Sequence, residues 1–170
     1  MVLVLLCCVV LAGCGGGDSA RKGRINQPVR REATSSRVGD IRLVLVRIQQ
    51  PDAAHAQGTN AALFLTLTND SDTADTLTAV SSVDSQRVLL RDGSSDPEPA
   101  ISVPVPAHGT VSLQHASGLH LELVDLKRDL PRRHFVPVSF RFENNGAVTF
   151  SVFVQGVDHP VVDPVPSASP

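Results

Sequence analysis

The 170-residue chain is long enough for one domain with a buried core plus tails. Its composition, 42% apolar and 19% charged, is globular, and with no Trp or Tyr and six Phe it argues against stacking on bases or sugars. The formal net charge of -2 is uneven: six basic and three acidic residues fall in 15–40, leaving 9 basic and 14 acidic in 41–170, an acidic body that excludes nucleic acid as a partner.

Met1 to Val10 is an unbroken apolar run that continues into Leu11-Ala12-Gly13-Cys14. It is shorter than the roughly 20 residues that cross a bilayer and suits the apolar core of a signal peptide. Leu-Ala-Gly-Cys resembles the bacterial lipobox, in which small residues precede a cysteine that is lipidated and becomes the mature N-terminus. On this reading residues 1–13 are a lipoprotein signal peptide and are lost with Cys7 and Cys8. Cys14 then carries acyl chains, palmitate among them, and anchors the protein at the extracytoplasmic face of the cell membrane. All three cysteines lie in this segment, so the body can form neither a disulfide nor a thiolate metal site.

Residues 14–39 are rich in Gly, Ser, Arg and Asn without apolar periodicity and read as a flexible tether. As a coil of about 25 residues it would span on the order of 25–30 Å. From Asp40 the pattern changes to strand-length segments separated by turn residues, which defines a domain over 40–156. Predicted strands run from Ile41 to Gln49 and from Asn60 to Thr68, with Leu63, Leu65 and Leu67 on one face and Phe64, Thr66 and Thr68 on the other. Thr76 to Ser81 and Arg87 to Arg91 follow. Ala100 to Val105 holds Pro104 and is followed by Pro106, which places it at a sheet edge. Gly109 to Gln114, Leu119 to Val124, His134 to Glu143 and Ala147 to Gln155 complete the set. Asn144-Asn145-Gly146 joins the last two as a hairpin turn, since Asn and Gly tolerate positive φ. Eight or nine strands and no convincing helix make the chain all-β, an antiparallel Greek-key sandwich. Residues 157–170 form a disordered Pro-rich tail.

The stretch that carries a chemical pattern is Gly118–Leu126. Leu119, Leu121 and Leu123 alternate with His120 and Glu122, so a strand here buries leucines on one face and sets an imidazole and a carboxylate two residues apart on the other. His120 and Glu122 can serve Cu(II) or Zn(II) if His115 or His108 joins from a neighbouring turn. The alternative is a polar strand side with an incidental histidine. His55, His134 and His159 have no motif around them and are expected at the surface. Asp70 and Asp72 sit in a turn and read as solvated. No Gly-x-Ser-x-Gly motif, body cysteine or phosphate-cradling loop is present, so the chain is not read as an enzyme.

Several ordered segments resemble one known family. They are Asn60-Ala-Ala-Leu-Phe-Leu-Thr-Leu-Thr-Asn69 with Ala74-Asp75-Thr76-Leu77, Val103-Pro-Val-Pro-Ala-His-Gly-Thr-Val-Ser-Leu113, Gly118-Leu-His-Leu-Glu-Leu-Val-Asp-Leu126, and Val136 to Glu143 with Gly146 to Phe150. Together, over residues 41–155, they are similar to the bacterial extracytoplasmic copper chaperones with the PCu(A)C domain. The resemblance implies a cupredoxin-like β-sandwich and Cu(I) held by two histidines and two methionines, thioether sulfur being suited to Cu(I). His120 matches the histidine of the family's His-x-Met pair, and Glu122 stands at the methionine. The other histidine falls near Leu90 or Arg91. No methionine follows Met1, so one of four ligands is kept, and Arg91 is expected to pair with Glu122 across the former site. The resemblance therefore implies a copper-chaperone-like protein that binds or delivers metal in the cell envelope through a divergent site. A metal-acceptor or other envelope protein is its implied partner. The alternative is a degenerate member that serves as a non-metal protein-interaction module.

Overall fold

A computed structural model describes residues 34–49, 54–98 and 100–155. The ten strands among them are β1 (Thr34–Val38), β2 (Ile41–Gln49), β3 (Ala61–Asn69), β4 (Asp75–Ser82), β5 (Ser85–Asp92), β6 (Val103–Val105), β7 (Thr110–Leu113), β8 (Leu119–Leu126), β9 (Phe135–Phe142) and β10 (Gly146–Gln155). No helix occurs among the described residues. The predicted signal peptide, Cys14, His159 and the Pro-rich tail lie outside them.

The strands form one curled sheet in the order β5-β8-β3-β2-β10-β9-β4-β6, with β1 also on β2 and β7 also on β3. The two halves of this path meet where β2 and β10 pair in parallel, Phe153 opposite Arg47 and Val154 opposite Ile48. This pair is the departure from the all-antiparallel pattern expected of the sandwich. Inward-facing residues of both halves make a single core, with Leu43, Ile48, Leu63, Leu65, Leu121, Leu123, Val138, Phe140 and Val154 fully buried. Each such side chain contributes about 1.5–3 kcal/mol relative to exposure.

Two features depart from the sequence expectation. Thr34–Val38 falls within the predicted tether yet forms β1, hydrogen-bonded along β2 with Val38 opposite Ile41. Its sequence, TSSRV, has no apolar period to announce a strand. Backbone pairing holds it, together with Thr34 Oγ1 accepting from the Phe153 amide at 3.3 Å. Secondly, β2 bulges between Val44 and Arg47, where Leu45 takes φ 54° and leaves its side chain 55% exposed. The extra residue keeps Leu43, Val46 and Ile48 in the core and puts Arg47 on the outer face of the sheet.

Candidate functional site

Strand β8 lies between β5 and β3. Leu121 and Leu123 point into the core as their alternation requires, but His120, on the opposite face, is also buried at 6% exposure. Its cover is Phe64, whose ring centroid lies 6.1 Å from the imidazole at a 49° tilt. The imidazole Nδ1 is 2.8 Å from the Gly118 carbonyl oxygen. A carbonyl only accepts, so Nδ1 carries a proton, and Nε2 is the ring atom whose lone pair can meet a ligand. Anchoring one ring nitrogen on a backbone carbonyl is how a protein orients a histidine whose other nitrogen meets a ligand.

Arg91 on β5 stands directly opposite His120. Its Nε donates to Glu122 Oε2 at 2.5 Å, and Glu122 Oε1 accepts from Asn60 Nδ2 at 3.3 Å. Both carboxylate oxygens are thus engaged, and the ion pair is mostly shielded, with side chains 25% and 19% exposed. A charge-assisted hydrogen bond in such a setting is stronger than an exposed ion pair. On the other side of Phe64, Arg47 lies over the aromatic ring with its guanidinium carbon 5.0 Å from the centroid. Arg47 Nη1 donates to Gln114 Oε1 and, at 3.4 Å, to the Leu45 carbonyl. Burial lowers the Arg47 pKa. Arg47, Phe64, His120 and Arg91 therefore form one row across β2, β3, β8 and β5.

The row gathers some of the sequence candidates and excludes others. Arg91 and Glu122 meet; Leu90 does not take part, because it pairs with Leu121 and faces the core at 4% exposure. His115 is exposed in the turn between β7 and β8, where its carbonyl accepts from the Gly118 amide. His108 bonds Asp72 at 2.7 Å in an exposed turn. The neighbouring Thr110 pairs with Thr68, four residues along β3 from Phe64, or about 13 Å. His120, Glu122 and His115 consequently do not assemble a metal-binding cluster; no group of three or more His, Cys, Asp or Glu able to hold a metal exists among the described residues. Asp70 and Asp72 lie in an exposed turn, as expected, and Asp70 accepts two hydrogen bonds from Arg42 at 2.9 Å, which hold its carboxyl below the usual range. His55, expected at the surface, is buried at 7% because its Nε2 bonds the Gln49 carbonyl and its backbone bridges Leu130.

Arg47 and Phe64 were not singled out from the sequence. The signal was available: Phe64 is the one aromatic among the outward-facing Thr66 and Thr68, and Arg47 is a charge set between Val46 and Ile48. In chemical terms the row offers one imidazole lone pair, a carboxylate already neutralised, and two guanidiniums. A cation at His120 would face Arg91 and find no free anionic ligand, so these residues fit a tightly held copper ion poorly.

The family model described as "Putative lipoprotein LpqE-like" matches residues 40–154. Among solved structures, the copper-bound PCuAC domain from PmoF2 is 24% identical, covering 72% of this chain and 98% of that one, with a TM-score of 0.61. The apo PCuAC domain from PmoF1 is 19% identical over 72% and 99%, with a TM-score of 0.62. The Cu(I) form of DR1885 from Deinococcus radiodurans is 20% identical over 74% and 83%, with a TM-score of 0.50. The chain thus has the PCuAC fold, cupredoxin-like and all-β. No curated protein matches it.

Proposed function

The chain belongs to the LpqE-like family, and from that premise we propose that it is a lipid-anchored extracytoplasmic protein of copper-chaperone type. Its metal binding or delivery in the cell envelope rests on a weakened site centred on His120. The observation that carries this reading is the His120 ring itself: Nδ1 is fixed on the Gly118 carbonyl and Nε2 is left as a ligand atom. The weakness follows from its neighbours. Glu122 holds Arg91 where a second ligand would be needed, so a copper cargo is bound by one imidazole and released readily. Cys14, by its lipobox, carries the membrane anchor. The Arg91–Glu122 pair also favours a second reading, in which the fold persists as a non-metal interaction module.

Titration with Cu(I) under reducing conditions, and with Cu(II) and Zn(II), separates the two. The full chain is used with Cys7, Cys8 and Cys14 replaced by Ser, so that no thiol takes the metal. Binding that is lost in His120→Ala supports the metal reading. A Kd weaker than about micromolar for every metal, unchanged by His120→Ala, overturns it and leaves the interaction module. In cells Cys14→Ala releases the protein from membranes; continued association would overturn the anchor.

A further inference from the structure

The row through His120 extends beyond the residues already described. Across the parallel pair Arg47 stands beside Phe153 of β10, and Phe153 stands beside Phe135 of β9, their rings 5.4 Å apart. Three of the chain's six phenylalanines, Phe64, Phe135 and Phe153, therefore share one outer-face row with Arg47. Phe135 is 49% exposed, and Leu45 in the bulge beside Arg47 is 55% exposed.

Arg47, half-buried, differs from the guanidiniums that form ion pairs. Arg37 and Arg42 meet Asp70, Arg91 meets Glu122 and Arg128 meets Asp84. Among the described residues Arg47 instead has only neutral oxygens, those of Gln114 and Leu45, and the Phe64 ring. A half-buried cation with no counter-charge is an incomplete arrangement, because burial costs it hydration that neutral acceptors replace only in part. The strained bulge that presents it also belongs to a class of feature that collects at binding sites.

We propose that this surface binds an amphiphilic oxyanion, with a carboxylate or phosphate head on the Arg47 guanidinium and an apolar portion along Leu45, Phe153 and Phe135. The head completes the missing charge pair with the planar fork that Arg provides. The apolar portion covers two of the large hydrophobic side chains left exposed. Lipid headgroups and free amphiphilic acids share this chemistry.

The test is an NMR titration of the full chain with monomeric dihexanoyl phosphatidylglycerol, with glycerol phosphate and dihexanoyl phosphatidylcholine as comparisons. Saturable shifts centred on Leu45, the Arg47 side chain and Phe153 are expected. The anionic lipid should bind at least about tenfold more tightly than either comparison. Arg47→Gln should weaken it about tenfold, whereas Arg42→Gln, whose parent is already paired with Asp70, should not. Should Arg47→Gln fail to fold, Arg47→Lys, which keeps the charge and loses the fork, should weaken binding and keep the fold. Co-sedimentation with phosphatidylglycerol vesicles assigns the ligand to the membrane, and monomer binding without it assigns a free amphiphile. No saturable shift up to ~10 mM, equal binding of the zwitterionic lipid, or an Arg47→Gln protein that binds like the native one overturns the proposal.

Discussion

Asp75 is the one charged side chain of β4, and it ties that strand to the β9–β10 turn. Buried at 3% exposure, it accepts from the amides of Thr76, Asn144 and Asn145 and from Asn145 Nδ2. Burial pushes its carboxyl up, but these four hydrogen bonds outweigh it and hold the pKa below the ordinary value. A depressed carboxylate pKa stabilises the fold above the unfolded value, about pH 4, and this is lost as pH falls through the folded value. Asp75→Asn should cost about 2–3 kcal/mol at pH 7. Urea melts from pH 7 to pH 2 should show a shallower acid decline in the variant than in the native protein. At the proposed metal site, Glu122→Met replaces a committed carboxylate by a soft thioether beside His120 and releases Arg91. Cu(I) affinity should rise at least about tenfold, and adding His120→Ala should abolish the gain, as read by competition with a chelator.

At the scale of elements, two turns of the chain are set by backbone conformation. Gly39, between β1 and β2, has φ 52°, and a Cβ there would overlap Asn145 Oδ1, which itself accepts from the Asp40 amide. Gly39→Ala should therefore destabilise by about 2 kcal/mol, measured by thermal melting. The Leu45 bulge has the opposite sign: an exposed leucine at φ 54° pays strain without burial. Leu45→Gly should be neutral or stabilising by up to about 1 kcal/mol, while reducing lipid binding. Strand periodicity made β2, β3, β8 and the β9–β10 hairpin legible in the sequence, because each buries one alternating face and the Asn-Asn-Gly turn fixes the hairpin. β1 was not legible, since its stability comes from pairing with β2 rather than from its own residues. The candidate site was legible along β8 and β5, where motif and register agree on Arg91, Glu122 and His120. Arg47 and Phe64 belong to strands whose position beside β8 no local pattern announces, and the bulge that turns Arg47 outward is a tertiary effect.

For the whole molecule, the deciding contact is the parallel pairing of β2 with β10, Arg47 beside Phe153. It joins the two halves of the sheet, brings the aromatic side of the outer row up to the cationic side, and lies beyond what alternation in either strand can reveal. It also joins residues 106 positions apart in the chain. Loop closure over such a distance must precede any contact that rewards it, so the domain should refold slowly, in the millisecond-to-second range, as followed by stopped-flow fluorescence of a probe placed on β10. Its consequence concerns the order of events rather than the final shape. Until the last strand is available the sheet cannot close on β2, and the core remains open on that side. A chain delivered from its N-terminus through a membrane channel, as the proposed envelope location requires, would keep this closure for last. The strand that completes the fold would then also act as the latch that keeps it unfolded during passage.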